Sequence, residues 1–126
     1  MTVPKNGDEA RELLLGPSFV RVQPSPDEPA VALELRDAVG RPFEDVWTRP
    51  GLELRTRSIA TISMLIGLGS TEELRIHFGI ALRLGISYSE LLEIVLHGVY
   101  YCGSPRAHQA QRALREAYAA SNGSAK

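Results

Sequence analysis

Apolar residues recur at three- and four-residue spacing along most of this chain, and nowhere do they alternate with polar ones long enough to make a strand. The pattern predicts helices and no sheet. "DEARELLL" (Asp8 to Leu15) suits a short helix stopped by Gly16-Pro17. The three prolines of "VQPSPDEP" (Val22 to Pro29) mark an irregular linker. "AVALELRDAV" (Ala30 to Val39) reads as a helix ending at Gly40, after which Phe43, Val46 and Trp47 form a short apolar set. "TRPGLEL" (Thr48 to Leu54) reads as a turn-rich connection.

From Arg55 onward the pattern tightens. Ser58 to Leu68 is apolar nearly all round, which predicts a central buried helix. Ser70 starts the next helix, with Glu73 three residues on, so the pair satisfies the S-x-x-E capping box. A further helix over Ser87 to Tyr101 places Leu91, Leu92, Val95, Leu96 and Val99 at helical spacing, again with a capping box, Ser87 and Glu90. Gly103 closes it. Ser104 as cap and Pro105 at the first helical position then lead into Arg106 to Ala120, and the tail from Ser121 is expected to fray. At 126 residues the chain reads as one all-α domain, with residues 1–29 forming a helix and a proline-rich linker.

Charge narrows the function. Lys+Arg is 14 and Asp+Glu is 15, a formal charge of −1, without the basic surplus of a nucleic-acid binder or a polybasic handle for an anionic membrane. The N-terminus lacks the apolar stretch of a secretory signal, and "SIATISMLIGLG" is too short and too interrupted to span a bilayer. A lone cysteine, Cys102, allows no intrachain disulfide. These features together predict a cytoplasmic location.

Candidate chemistry concentrates in "STEELRIHFGIALRLG" (Ser70 to Gly85). Glu73 and His77 lie one turn apart on one stripe of a helix rich in Leu, Ile and Ala. Either they are an acid/base pair facing a cavity, or Glu73 merely caps the helix and His77 is a satisfied core imidazole. His97 falls in the same way among Leu92, Leu96 and Tyr100, where core or subunit contact is the plainer reading. His77, His97 and His108 share no metal-ligand spacing, so no metal is expected. Arg49, Arg55 and Arg57 gather just before the apolar helix, where they solvate a loop or point at an anion.

Several spaced motifs carry a resemblance: "WTRPGL" from Trp47, "RTRS" from Arg55, "EEL-x-x-H" from Glu72, and "VYYCGSP" from Val99. In this order and spacing the chain resembles the carboxymuconolactone decarboxylase family, strongly from Val46 onward. The resemblance implies a helical protomer of the alkyl hydroperoxidase D-like type, assembled into a ring, a trimer or a hexamer built from trimers. Some of the apolar helix surface would then be subunit interface. Thiol peroxidases of the wider superfamily use a C-x-x-C pair before a histidine. Here Ser70 and Glu73 occupy those two positions and Ser58 that of the relay glutamate, so peroxide chemistry lacks its thiols.

A decarboxylase of this kind acts on a small unsaturated lactone bearing two carboxylates, in the protocatechuate branch of aromatic breakdown. Its substrate is its own electron sink, so no cofactor is implied. Arg49, Arg55 and Arg57, helped by Trp47 and Tyr100, would bind substrate, since a guanidinium fork holds carboxylates in fixed orientation. His77 would deliver the proton, with Glu73 orienting it and His97 a second candidate. Two departures touch the implied pocket: Arg83-Leu84-Gly85 stands where relatives often have "NNG", and Arg106-Ala107-His108 where they often have "AAN". A relative recruited to another small acid or lactone, and a non-catalytic oligomeric binding protein, are the competing expectations.

Overall fold

The computed structural model describes the backbone of residues 2–125 and the side chains of residues 2–122. It is all-helical, with no strand among the described residues: α1 (Gly7–Leu15), α2 (Val31–Asp45), α3 (Leu54–Leu68), α4 (Thr71–Arg83), α5 (Tyr88–Cys102) and α6 (Ser104–Ala125). The chain divides into two compact units, Met1–Glu53 and Leu54–Lys126.

In the first unit, the Asn6 side chain caps α1 by accepting from the Glu9 N–H at 2.9 Å, and Gly16, at φ 106°, ends the helix. The helix predicted to stop at Gly40 instead runs on through Gly40 and Pro42 to Asp45. The reason is Arg11, a buried guanidinium that needs partners. It donates to the Gly40 carbonyl at 3.3 Å and to Glu44 at 2.7 Å, and stands over the Phe43 ring. A Cβ at Gly40 would come within 2.9 Å of that guanidinium, so this glycine is a place of close approach rather than a helix stop. No residue of α2 is buried, and Val31, Leu33, Leu35 and Val39 are all exposed.

The second unit owns the apolar core. Ile62 and Ile66 of α3 pack with Leu74, Phe78 and Ala81 of α4, Leu91 and Val95 of α5, and an alanine-rich face of α6 that ends in Leu114. A two-residue turn, Gly69-Ser70, joins α3 to α4. Gly69 sits at φ +71°, where a Cβ would also run into the Arg106 guanidinium, so glycine is required twice over. The Gly98 backbone lies against Ile66 and lets α5 approach α3 closely.

Three expectations need correcting here. α3 is not buried all round: only Leu54, Ser58, Ile62 and Ile66 are buried, at four-residue spacing, while Met64 and Leu68 are about 70% exposed. An apolar helix without a polar face carries no phase information, and a single stripe meets the core. The last helix does not end at Ala120, because the α6 backbone continues to Ala125; Lys126 lies outside the described residues. Arg55 and Arg57 stand on the first turn of α3 rather than in a loop before it.

Candidate active site

α4 positions the first pair of candidates. Leu74, Phe78 and Ala81 turn one face of this helix into the core, and His77, beside Phe78, is drawn partly inside with its side chain 13% exposed. Ser70 makes no side-chain capping bond, so the capping explanation for Glu73 fails. Glu73 points instead along the helix toward His77, its Oε2 3.9 Å from Nε2. That gap is an ion pair when the imidazole is charged and too long for a hydrogen bond. Burial pushes the His77 pKa below its ordinary value, and the Glu73 carboxylate pulls the other way. The imidazole is thus neutral at neutral pH in the empty protein, and added negative charge nearby would favour its protonation.

The box at Ser87 does form, and it reaches further than sequence reasoning foresaw. The Ser87 N–H donates to Glu90 at 2.9 Å and the Glu90 N–H donates to Ser87 Oγ at 3.1 Å. The same Glu90 carboxylate takes the Arg55 guanidinium at 2.6 Å, tying the start of α3 to the start of α5. The capping N–H of Ser87, and after it Arg55, hold the Glu90 carboxyl below the usual carboxylate range. Arg57 is half-buried, and its carbonyl accepts from Thr61 Oγ1 at 2.9 Å.

The other candidates stand on other elements of the chain. His97 is exposed on α5 and stacks on Tyr101 with ring centroids 4.9 Å apart. Tyr100 is 81% exposed. Trp47 is buried and Arg49 exposed, both in the first unit. Cys102 is a free, half-buried thiol. A wide-open cleft of about 690 Å³ lies between α5 and α6, lined by Val95, Val99, Pro105 and His108 among others. Neither His77 nor Glu73 is on its wall. No cluster of three or more potential metal ligands occurs among the described residues, and no described helix is long and apolar enough to cross a membrane.

Sequence reasoning met Ser58 only as the position of the superfamily's relay glutamate and gave it no role; it is fully buried in α3. The available signal was its four-residue register with Leu54, Ile62 and Ile66.

The helices, and the Glu-x-x-x-His pair of α4 with its imidazole partly buried and its carboxylate exposed, accord with the family that the motifs suggested. The model of the carboxymuconolactone decarboxylase family matches residues 34–116, about two thirds of the chain, and the protein belongs to that family. Two curated relatives are similar over shorter stretches. The 4-carboxymuconolactone decarboxylase of Acinetobacter baylyi is 39% identical over 74 residues, 59% of this chain and 55% of the relative. The nitrosuccinic acid decarboxylase npaB of Metarhizium robertsii is 42% identical over 60 residues, 48% of this chain and 42% of the relative. The chain thus spans about half the length of the curated relatives it matches.

Proposed function

We propose that this protein is a cofactor-independent carboxy-lyase whose substrate is 4-carboxymuconolactone, converted to the β-ketoadipate enol-lactone. The observation that carries the reading is the half-buried His77 beside Glu73 on α4, in a family whose two similar relatives are both named decarboxylases.

The bond between ring carbon and carboxylate breaks, and carbon dioxide leaves. The electron pair passes through the ring alkene to the lactone carbonyl oxygen, giving a dienolate. Arg57, half-buried on the first turn of α3, is the first choice to hold a substrate carboxylate, with Arg55 behind it. Arg49, Trp47 and Tyr100 retain their proposed binding roles on the resemblance alone. His77 then protonates carbon. Burial disfavours its charged form in the empty site, but a dianionic substrate supplies the negative charge that stabilises imidazolium, so binding itself loads the proton. Glu73 adds to that stabilisation, and His97 is relegated to the surface of α5.

We propose self-association as well, supported by exposed apolar residues. Met64, Leu68, Leu96 and Tyr100 leave an apolar outer surface on α3 and α5 that a trimer or hexamer of this chain would cover. We take residues 1–126 as one functional domain, since the family match runs through both compact units, and we place the protein in the cytoplasm.

A second reading has its own observation: the similarity to a nitrosuccinic acid decarboxylase. A nitro group accepts the electron pair of a departing carboxylate as an unsaturated lactone does, so the same His77 and arginines would serve another small acid. Assaying carbon dioxide release from both acids side by side separates the two. Turnover of the lactone alone supports the first reading, and turnover of the nitro acid alone the second.

A further inference from the structure

The hydroxyl groups along α3 do not behave alike. Thr61 Oγ1 donates to the Arg57 carbonyl at 2.9 Å and Ser63 Oγ to the Ile59 carbonyl at 2.8 Å, the usual back-bond of a helical hydroxyl. Ser58 is 0% exposed, yet its Oγ has no hydrogen-bond partner among the described residues. A buried hydroxyl in that state destabilises a fold, and alanine would occupy the position without the loss. Such a group calls for an explanation in something absent from the protein alone, a water or a ligand.

Its place points to a ligand. Leu54, Ser58, Ile62 and Ile66 form the one buried stripe of α3, and Ser58 interrupts it one turn from either apolar neighbour. The short Gly69-Ser70 turn folds α4 back on α3, with which it packs. Ser58 lies ten residues before the end of α3, and His77 six residues into α4. At about 1.5 Å per residue, the two positions differ along the hairpin by roughly 6 Å, one helical turn. Arg57 is the adjacent residue in the chain.

We propose that the Ser58 hydroxyl is a substrate-binding group, left without a partner in the empty protein so that it can donate to a carboxylate or enolate oxygen of the small acid held near His77. The side chains over it part as the ligand enters. This inference rests on the decarboxylase reading and adds to it a donor that is neither an arginine nor a histidine.

The test is Ser58→Ala in the full-length protein, with thermal unfolding and carbon dioxide release from 4-carboxymuconolactone measured beside wild type. The expected result is a split: Tm rises by roughly 2–4 °C, because a buried orphan is removed, while kcat/KM falls about tenfold to a hundredfold, the loss of one hydrogen bond to a charged group. An unchanged or lower Tm means the hydroxyl is already satisfied in the empty protein, by a structural water for example, and overturns the inference. A raised Tm with full activity overturns it too. If wild type itself neither turns over nor is stabilised by the lactone, the decarboxylase reading has failed, and the inference falls with it.

Discussion

His77 on α4 and His97 on α5 look alike in the sequence: each imidazole sits among leucines and isoleucines at helical spacing. Folded, they are opposites. His77 is drawn inward beside Phe78, near a carboxylate, and burial works against its charge. His97 faces out and rests on Tyr101. The difference lies in helix phase. The buried residues of α4 run through Leu74, Phe78 and Ala81, and His77 flanks that stripe; those of α5 run through Leu91, Val95 and Gly98, and His97 flanks it on a side no neighbour covers. An imidazole acquires chemistry from what lies over it, and only the α4 site supplies a carboxylate and partial burial together.

The contrast can be broken or sharpened experimentally. The largest effect should come from the packing that holds His77 in place. Phe78→Ala removes a fully buried ring, and chemical denaturation should show a loss of about 3–5 kcal/mol. Next is His77→Gln, which keeps the size and loses the titrating proton. Steady-state kinetics should show kcat down about a hundredfold or more, with an unchanged circular dichroism spectrum.

The pH profile follows from the direction of the His77 shift. Burial lowers its pKa in the free protein, and only the protonated form can donate. So kcat/KM, which reports the free enzyme, should fall as pH rises, with a midpoint below that of an ordinary imidazole. Bound dianion raises the pKa, so the corresponding fall in kcat should come at higher pH. Stability has the opposite sign: the unfolded imidazole binds its proton first, so His77 weakens the fold as pH drops below the ordinary histidine value. His77→Gln should remove both trends.

Smaller effects complete the series. Glu73→Gln should lower kcat about tenfold and shift the kcat/KM midpoint further down, because the carboxylate that favours imidazolium is gone. His97→Gln should leave kcat within about twofold, the usual result for a surface site away from bound substrate. Equal losses for His77→Gln and His97→Gln would abolish the distinction between the two regions.

Much of the fold was legible because its signals are local. Gly16 and Gly103 end helices as expected, both at positive φ, and the Ser87–Glu90 box forms. Gly40 misled because its reason is tertiary: the space its missing side chain leaves is filled by Arg11 from α1. α3 misled because apolar residues on every side hide which stripe faces the core, and that stripe contains a serine. At the candidate site, the spacing of Glu73 and His77 was visible in the sequence, whereas the absence of a Ser70 side-chain cap was not. Whether the Ser70 side chain bonds the helix start depends on backbone angles at the Gly69-Ser70 turn. The Arg55–Glu90 clamp joins residues 35 apart in the chain, beyond the reach of any local pattern.

The most direct test is to incubate purified wild-type protein and its His77→Gln variant with enzymatically prepared 4-carboxymuconolactone, without added metal or cofactor, and to measure carbon dioxide release. Rapid release by wild type, slowed about a hundredfold or more in a folded variant, is the predicted result. An inert wild type, or a variant as fast as wild type, would contradict the proposal that His77 carries the proton in a decarboxylation needing nothing but this chain.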